Sequence, residues 1–188
     1  MQPKNILNIK TKEEFYSRLK ENHNKESECR IDCKRWKIKD DDNFYYIEAV
    51  YMALCFGWID SVHKEINWKR LQKLSPRKKW SPWWELNKER CKWLIKKWLM
   101  QESWLKELPD LDEEFKIDND ILELIQKDKE ILKNFNSFPE LYQRIRIWNI
   151  QRERDKPLVF QRMLNHFLQE TKNGKMYGER NDYGRLLN

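Results

Sequence analysis

The residues of this chain with types and spacing suited to chemistry lie between positions 60 and 90. Asp60 ends the apolar stretch IEAVYMALCFGWID, residues 47–60. Arg77 and Lys78 precede Ser81 and Pro82, which read as the N-cap and first residue of a helix. Trp83, Asn87, Arg90 and Leu94 follow at i, i+4, i+7 and i+11 and share one helical face. A helix N-terminus beside an arginine and a lysine binds anions through free backbone N–H groups and charge. Asp60 would orient one of those cations, or act as an acid–base group toward a bound ligand. Alternatively, Asp60 closes on Arg90 or Arg77 as a buried ion pair that fixes a hairpin against the helix. The candidate anion site is therefore Asp60, Arg77, Lys78, Ser81, Trp83, Asn87 and Arg90, with no catalytic residue assigned.

Other reactive side chains read as structural. The cysteines Cys29, Cys33, Cys55 and Cys91 form no CxxC pair, and the three histidines are scattered, which argues against zinc. Asp40, Asp41 and Asp42 lack the spacing, glycine and distal glutamate of a calcium loop, and suit the N-terminal dipole of the following helix. Cys55 could act as a nucleophile, but it sits in an apolar helix with no histidine at a useful spacing and reads as a core thiol. His63 reads as a surface strand residue and His23 as a solvated loop residue. No cofactor or metal is implied.

These residues need elements to hold them. Thr11 and Glu14 form a capping box that starts a helix running to about residue 22, with Phe15 and Leu19 on its apolar side. Residues 28–38 alternate as a strand, with a parity shift at Arg35 that a bulge before Trp36 and Ile38 would explain. Residues 46–56 are apolar around most of their circumference and predict a buried helix stopped by Gly57. Residues 62–66 and 70–75 predict a hairpin turning at Asn67. A helix over 82–100 buries Cys91, Leu94, Ile95 and Trp98. Further helices are expected at 121–127, around 131–135, from Pro139 with Leu141, Ile145 and Trp148 inward, and from Pro157 with Leu158, Phe160, Met163, Leu164 and Phe167 inward. Asn173 and Gly174 stop the last one.

The net charge is +7 and charged residues make up 37% of the chain, with both signs mixed. The apolar residues keep helical spacing among those charges, so the composition describes a solvated shell around a core, not disorder. Ten tryptophans supply core area that the aliphatic residues alone would leave thin. Nothing approaches the roughly 20 apolar residues of a membrane span, and the first residues lack a signal-peptide core. With reduced cysteines, these features predict a cytoplasmic protein.

ALCFGWIDSV, then SPRK, then Ser81-x-Trp83-x-x-x-Asn87-x-x-Arg90 resembles the YdeI/OmpD-associated (bacteriocin-protection) family over roughly residues 48–100. That family reads ALCFGWIDG, then Thr/Ser-Pro-Arg-Lys, then S-x-W-S-x-x-N-x-x-R. Here Tyr45 stands at the usual Ser/Thr cap, Ser61 replaces the glycine after the aspartate, and Trp84 replaces a serine. In the C-terminal region only Arg162-Met163 and a closing Asn-Gly-Lys correspond. The resemblance implies a link to bacteriocin, antimicrobial-peptide or stress resistance, with no assigned biochemical activity.

The expected fold is α+β and mainly helical: a small antiparallel sheet in the N-terminal half packed on helices, and a C-terminal helical hairpin. Residues 1–105 form the core domain, 106–175 a helical region packed on it, and 176–188 a loosely held tail. The expected function is binding of an anionic small molecule or protein partner. One alternative is a nucleic-acid-binding module that stacks bases on Trp80, Trp83 and Trp84. Another is an enzyme with Asp60 as its acid–base group.

Overall fold

Thr11 starts the first helix as its capping pattern predicts. The Thr11 hydroxyl accepts from Glu14 N at 3.1 Å, and the Glu14 carboxylate accepts from Lys10 N at 2.9 Å. The computed structural model describes residues 5–35, 41, 43–66, 68–178 and 181–187. Trp36, Ile38, Asp40, Asp42 and Asn67, which carried the expected bulge, part of the acidic loop and the hairpin turn, lie outside the described residues. The fold is α+β, mainly helical, with a small sheet, and the chain divides into two compact units. The first comprises Met1–Pro82 and Arg90–Leu111, the second Trp83–Glu89 and Asp112–Asn188.

In the first unit, α1 (Lys12–Asn22) buries Phe15 and Leu19. His23 caps it and is not the solvated loop residue expected. Its ring nitrogen lies 2.9 Å from Leu19 O, its ring packs 5.0 Å from that of Phe56, and its carbonyl accepts from Trp58 Nε1 at 3.1 Å. The apolar ring of Phe56 draws in a residue that its polar neighbours had suggested was wet.

The sheet runs β1-β2-β4-β3. β2 (Cys29–Asp32), β3 (Trp58–Ile66) and β4 (Lys69–Pro76) are antiparallel neighbours, and β1 (Ile6–Leu7) adds a parallel edge to β2. Two residues are too short a run for any periodicity to reveal, so β1 was not expected. Pairing sets Ile31 opposite Gln72, Cys29 and Asp60 both opposite Leu74, and His63 opposite Gln72, with a register shift between Asp60 and His63.

α2 (Tyr46–Leu54) is buried on several sides, as its composition predicts: Ile47, Ala49, Val50, Tyr51, Ala53 and Leu54 are all inside. With no Ser or Thr at the cap, the Glu48 half of the capping box remains, and its carboxylate accepts from Tyr45 N at 3.0 Å. Gly57 ends the run at φ +69°, and a Cβ there would stand 2.4 Å from the Trp104 ring. The fit thus excludes side chains by both backbone conformation and space.

α3 (Glu85–Lys96) is shorter than the predicted 82–100. Cys91 and Leu94 are buried as expected, but Ile95 is partly exposed. Trp98 is 94% exposed, because the chain leaves the helix and takes φ +57° at that residue. α4 (Glu102–Leu105) follows and supplies Trp104.

In the second unit, α5 (Asn119–Lys127), α6 (Lys129–Ser137), α7 (Glu140–Gln151) and α8 (Pro157–Lys172) enclose Ile121, Ile125, Phe135, Ile147, Ile150, Leu164 and Phe167. Asp128 caps α6 by accepting from Glu130 N and Ile131 N. The inner stripe of α7 is Tyr142, Ile145, Ile147 and Ile150, not the expected Leu141 and Trp148. Trp148 instead packs 5.3 Å from Trp84, with the Arg152 guanidinium over both rings. Leu158 is exposed, because it lies six positions before Leu164 and off the stripe that Leu164, Phe167 and Thr171 define. Past Gly174, Tyr177 packs on His166 at 4.5 Å and donates its N–H to the Tyr142 hydroxyl at 3.3 Å.

Gly57→Ala is expected to destabilise the protein by about 2 kcal/mol or more, from left-handed strain plus the clash. Urea unfolding measures this. Adding Trp104→Ala to that variant should return only the steric part of the loss; a wild-type midpoint for Gly57→Ala alone would refute the account.

Candidate functional site

Ser81 and Pro82 do not start a helix, contrary to the local sequence signal. The Arg77 guanidinium donates to Ser81 O at 2.8 Å and to Pro82 O at 2.7 Å. A helix beginning at Pro82 would use those carbonyls for its own first turns. With them satisfied by Arg77, the chain turns helical only at Glu85, and Trp84 O accepts from Lys88 N at 3.0 Å. Burial lowers the pKa of Arg77 from its ordinary value, and the residue remains the cation that ties this loop. Lys78 beside it is exposed. Trp83 and Asn87 fall in the second unit. There Glu85 takes the helix N-terminus, where negative charge is favoured. It is 3% exposed and pairs with Arg144 and Lys88, each at 3.0 Å.

Asp60 meets a tyrosine. Its Oδ2 accepts from the Tyr46 hydroxyl at 2.6 Å. Burial, and then the charge and hydrogen bond of Asp60, hold the Tyr46 hydroxyl well above the ordinary tyrosine pKa, while Arg90 and Arg35 pull the other way. Arg90 therefore does stand near the Asp60–Tyr46 pair, and its guanidinium lies 6.0 Å from the Tyr51 ring centroid. Of the expected group, the structure brings Asp60 and Arg90 toward one tyrosine and sets Arg77 to a separate task. Cys55 donates its thiol to Tyr51 O at 3.3 Å, and burial pushes its pKa up to about 12, which suits a core thiol.

Tyr46 links this pair to a hollow that the sequence did not reveal. Asp32, Cys33, Lys34, Arg35, His63 and Arg70 line a space of about 430 Å³. Arg35 lies 4.1 Å above the Tyr46 ring, and its Nη1 donates to Gln72 Oε1 at 2.7 Å. Gln72 is 1% exposed, and its amide nitrogen donates to Lys73 O at 3.0 Å. A buried amide with both ends occupied thus aims one guanidinium. Arg70 Nε lies 3.8 Å from the exposed Glu65 carboxylate, a separation at which solvent screens most of the attraction.

His63 senses that charge. Burial, followed by the fields of Arg35 and Arg70, lowers its pKa below the ordinary value of 6.5. Partial burial, with Asp32 and Asp60 nearby, pushes the Cys33 thiol pKa up to about 12, so it stays protonated at neutral pH. No sequence spacing could announce this group, because its members come from the end of β2 and from both arms of the β3–β4 hairpin. The parity shift at Arg35 was the one local sign.

Sheet, helices and basic hollow together define a small α+β domain with an open concavity lined by charged residues. A family model described as a domain of unknown function, DUF8412, matches residues 7–107; the chain belongs to that family. The matched stretch runs from β1 past α4 and contains every residue of the hollow. No curated protein and no solved structure gives a match. Among the described residues, no helix is long and apolar enough to cross a membrane.

Removing the Tyr46 hydroxyl with Tyr46→Phe takes a donor from a half-buried carboxylate and is expected to cost about 1.5 kcal/mol. Asp60→Asn keeps an acceptor for Tyr46 and should cost less. Denaturant midpoints of the two variants check the order; the reverse order would mean that Asp60 depends on another partner.

Proposed function

We propose that the first unit is an anion-binding domain whose ligand places a phosphoryl or carboxylate group in the hollow formed by Arg35, His63 and Arg70. The observation that carries this reading is the convergence of Lys34, Arg35 and Arg70 on one concavity against, among the described residues, a single lining carboxylate, Asp32. Guanidinium forks match phosphoryl and carboxylate oxygens in geometry as well as charge. Asp60 acts here through Tyr46, as part of the wall that orients Arg35, and not as an acid–base group. The ligand site thus moves from the loop at Arg77 and Ser81 to the open end of the hairpin.

We further propose that the protein works in the cytoplasm, a reducing compartment that its four free cysteines suit. The resemblance of ALCFGWIDSV and the blocks after it to the YdeI/OmpD-associated family supports a role in bacteriocin, antimicrobial-peptide or stress resistance. Loss of the chain from its host should then raise sensitivity to such peptides.

His63 reports the binding directly. An anion in the hollow offsets the cations that depress its pKa, so that pKa should rise on binding. By linkage, the anion should bind more tightly as pH falls through the His63 titration. An NMR titration of the three histidines with and without inorganic phosphate measures this, with His63→Gln to assign the signal. The expected result is an upward shift at His63 that disappears in Arg35→Gln. An unchanged His63 pKa at saturating phosphate would sink the proposal.

A further inference from the structure

Trp68 stands between β3 and β4 with 95% of its surface exposed and φ at +63°. A large aromatic residue in a left-handed conformation is uncommon and carries strain. Here that strain is offset by no burial within the chain. Two residues on, Arg70 lines the anion hollow. Two residues of extended chain span roughly 7 Å, comparable with the reach from a phosphate to its own base in a nucleotide. Lys69, between them, is exposed and adds a third basic or aromatic group to the same short segment.

We propose that the anion taken by the hollow is a phosphodiester of a single-stranded nucleic acid, and that Trp68 stacks a base of the same strand. This rests on the anion-binding reading above and specifies its ligand. Single strands are held by a cationic track together with aromatic faces on which unpaired bases lie. Arg35 and Arg70 supply the track, and Trp68 supplies the face. The net charge of +7 favours the encounter. A membrane surface fits less well. Trp68 is followed by Lys69 and Arg70, and Glu65 sits opposite Arg70 in the hairpin, so among the described residues the exposed tip has no contiguous apolar patch to insert.

The test is fluorescence anisotropy of a labelled oligothymidylate of about ten nucleotides and of an abasic strand of the same length, using the full chain. Trp68 touches little, so Trp68→Ala should fold as wild type, which circular dichroism checks. The expected result is that Trp68→Ala weakens oligothymidylate binding by roughly tenfold and leaves abasic binding unchanged, while Trp68→Phe recovers most of the loss. Arg70→Ala should weaken both strands and flatten the salt dependence. Equal binding by wild type and Trp68→Ala would overturn the proposal. So would retention on anionic phospholipid vesicles without binding to either strand. If phosphate shifts His63 but no oligonucleotide binds, the nucleic-acid assignment fails and the anion site stands. If phosphate does not shift His63, the anion site itself fails.

Discussion

Gly57 holds a backbone conformation on which the segments around it depend. At φ +69° it turns the chain from α2 directly into β3, under a tryptophan ring that fills the side-chain position. Its carbonyl accepts from Arg77 N at 2.8 Å, and two residues earlier Cys55 O accepts from Gln101 N at 3.0 Å. The end of α2, the end of β4 and the approach to α4 therefore close on one turn. Since β3 begins at Trp58, the turn also sets which β3 side chains lie toward α2. Tyr46 and Asp60 come from those two elements, and their hydrogen bond follows from the angle at which Gly57 joins them.

The basic hollow shows how a cation can be aimed without being neutralised. Arg35 is held by a neutral amide and a neutral aromatic ring. A carboxylate in either place would fix the guanidinium equally well and cancel its field. Gln72 leaves the charge intact for whatever enters, and after burial, which is the larger cause, the fields of Arg35 and Arg70 add to the lowering of the His63 pKa. The cost of gathering like charges is kept modest because Lys34, Arg35 and Arg70 remain largely in water.

Local signals in the sequence were good guides where the cause of structure is local. The Thr11 cap, the apolar wheel of α2, the Gly57 stop and the hairpin arms each depend on residues within a few positions of one another. Ser81-Pro82 was also a sound local signal, and it failed because a side chain four residues upstream took the carbonyls that a helix would have used. Trp98 was misplaced for a related reason: the helix ends before it, and periodicity carries no information about where a helix stops. The hollow was illegible because Arg35 and Gln72 are 37 positions apart and meet only through β2–β4 pairing. Asp60 and Arg90 read from the sequence as members of one anion site or one ion pair; the structure sets both near Tyr46, which reads in the sequence as the start of a scaffold helix.

Among the described residues β3 is an outer strand, and its nine residues make it long for an unprotected edge. Such an edge is a template on which another chain can add a strand. Two features work against that. The register shift between Asp60 and His63 breaks the regular ladder midway, and Lys64 and Glu65 place opposite charges side by side on the exposed half. The same irregularity that separates the Tyr46-bound aspartate from the hollow's histidine thereby shortens the flat run of backbone open to a second copy. The displacement that helps shape the hollow also guards the sheet against self-association.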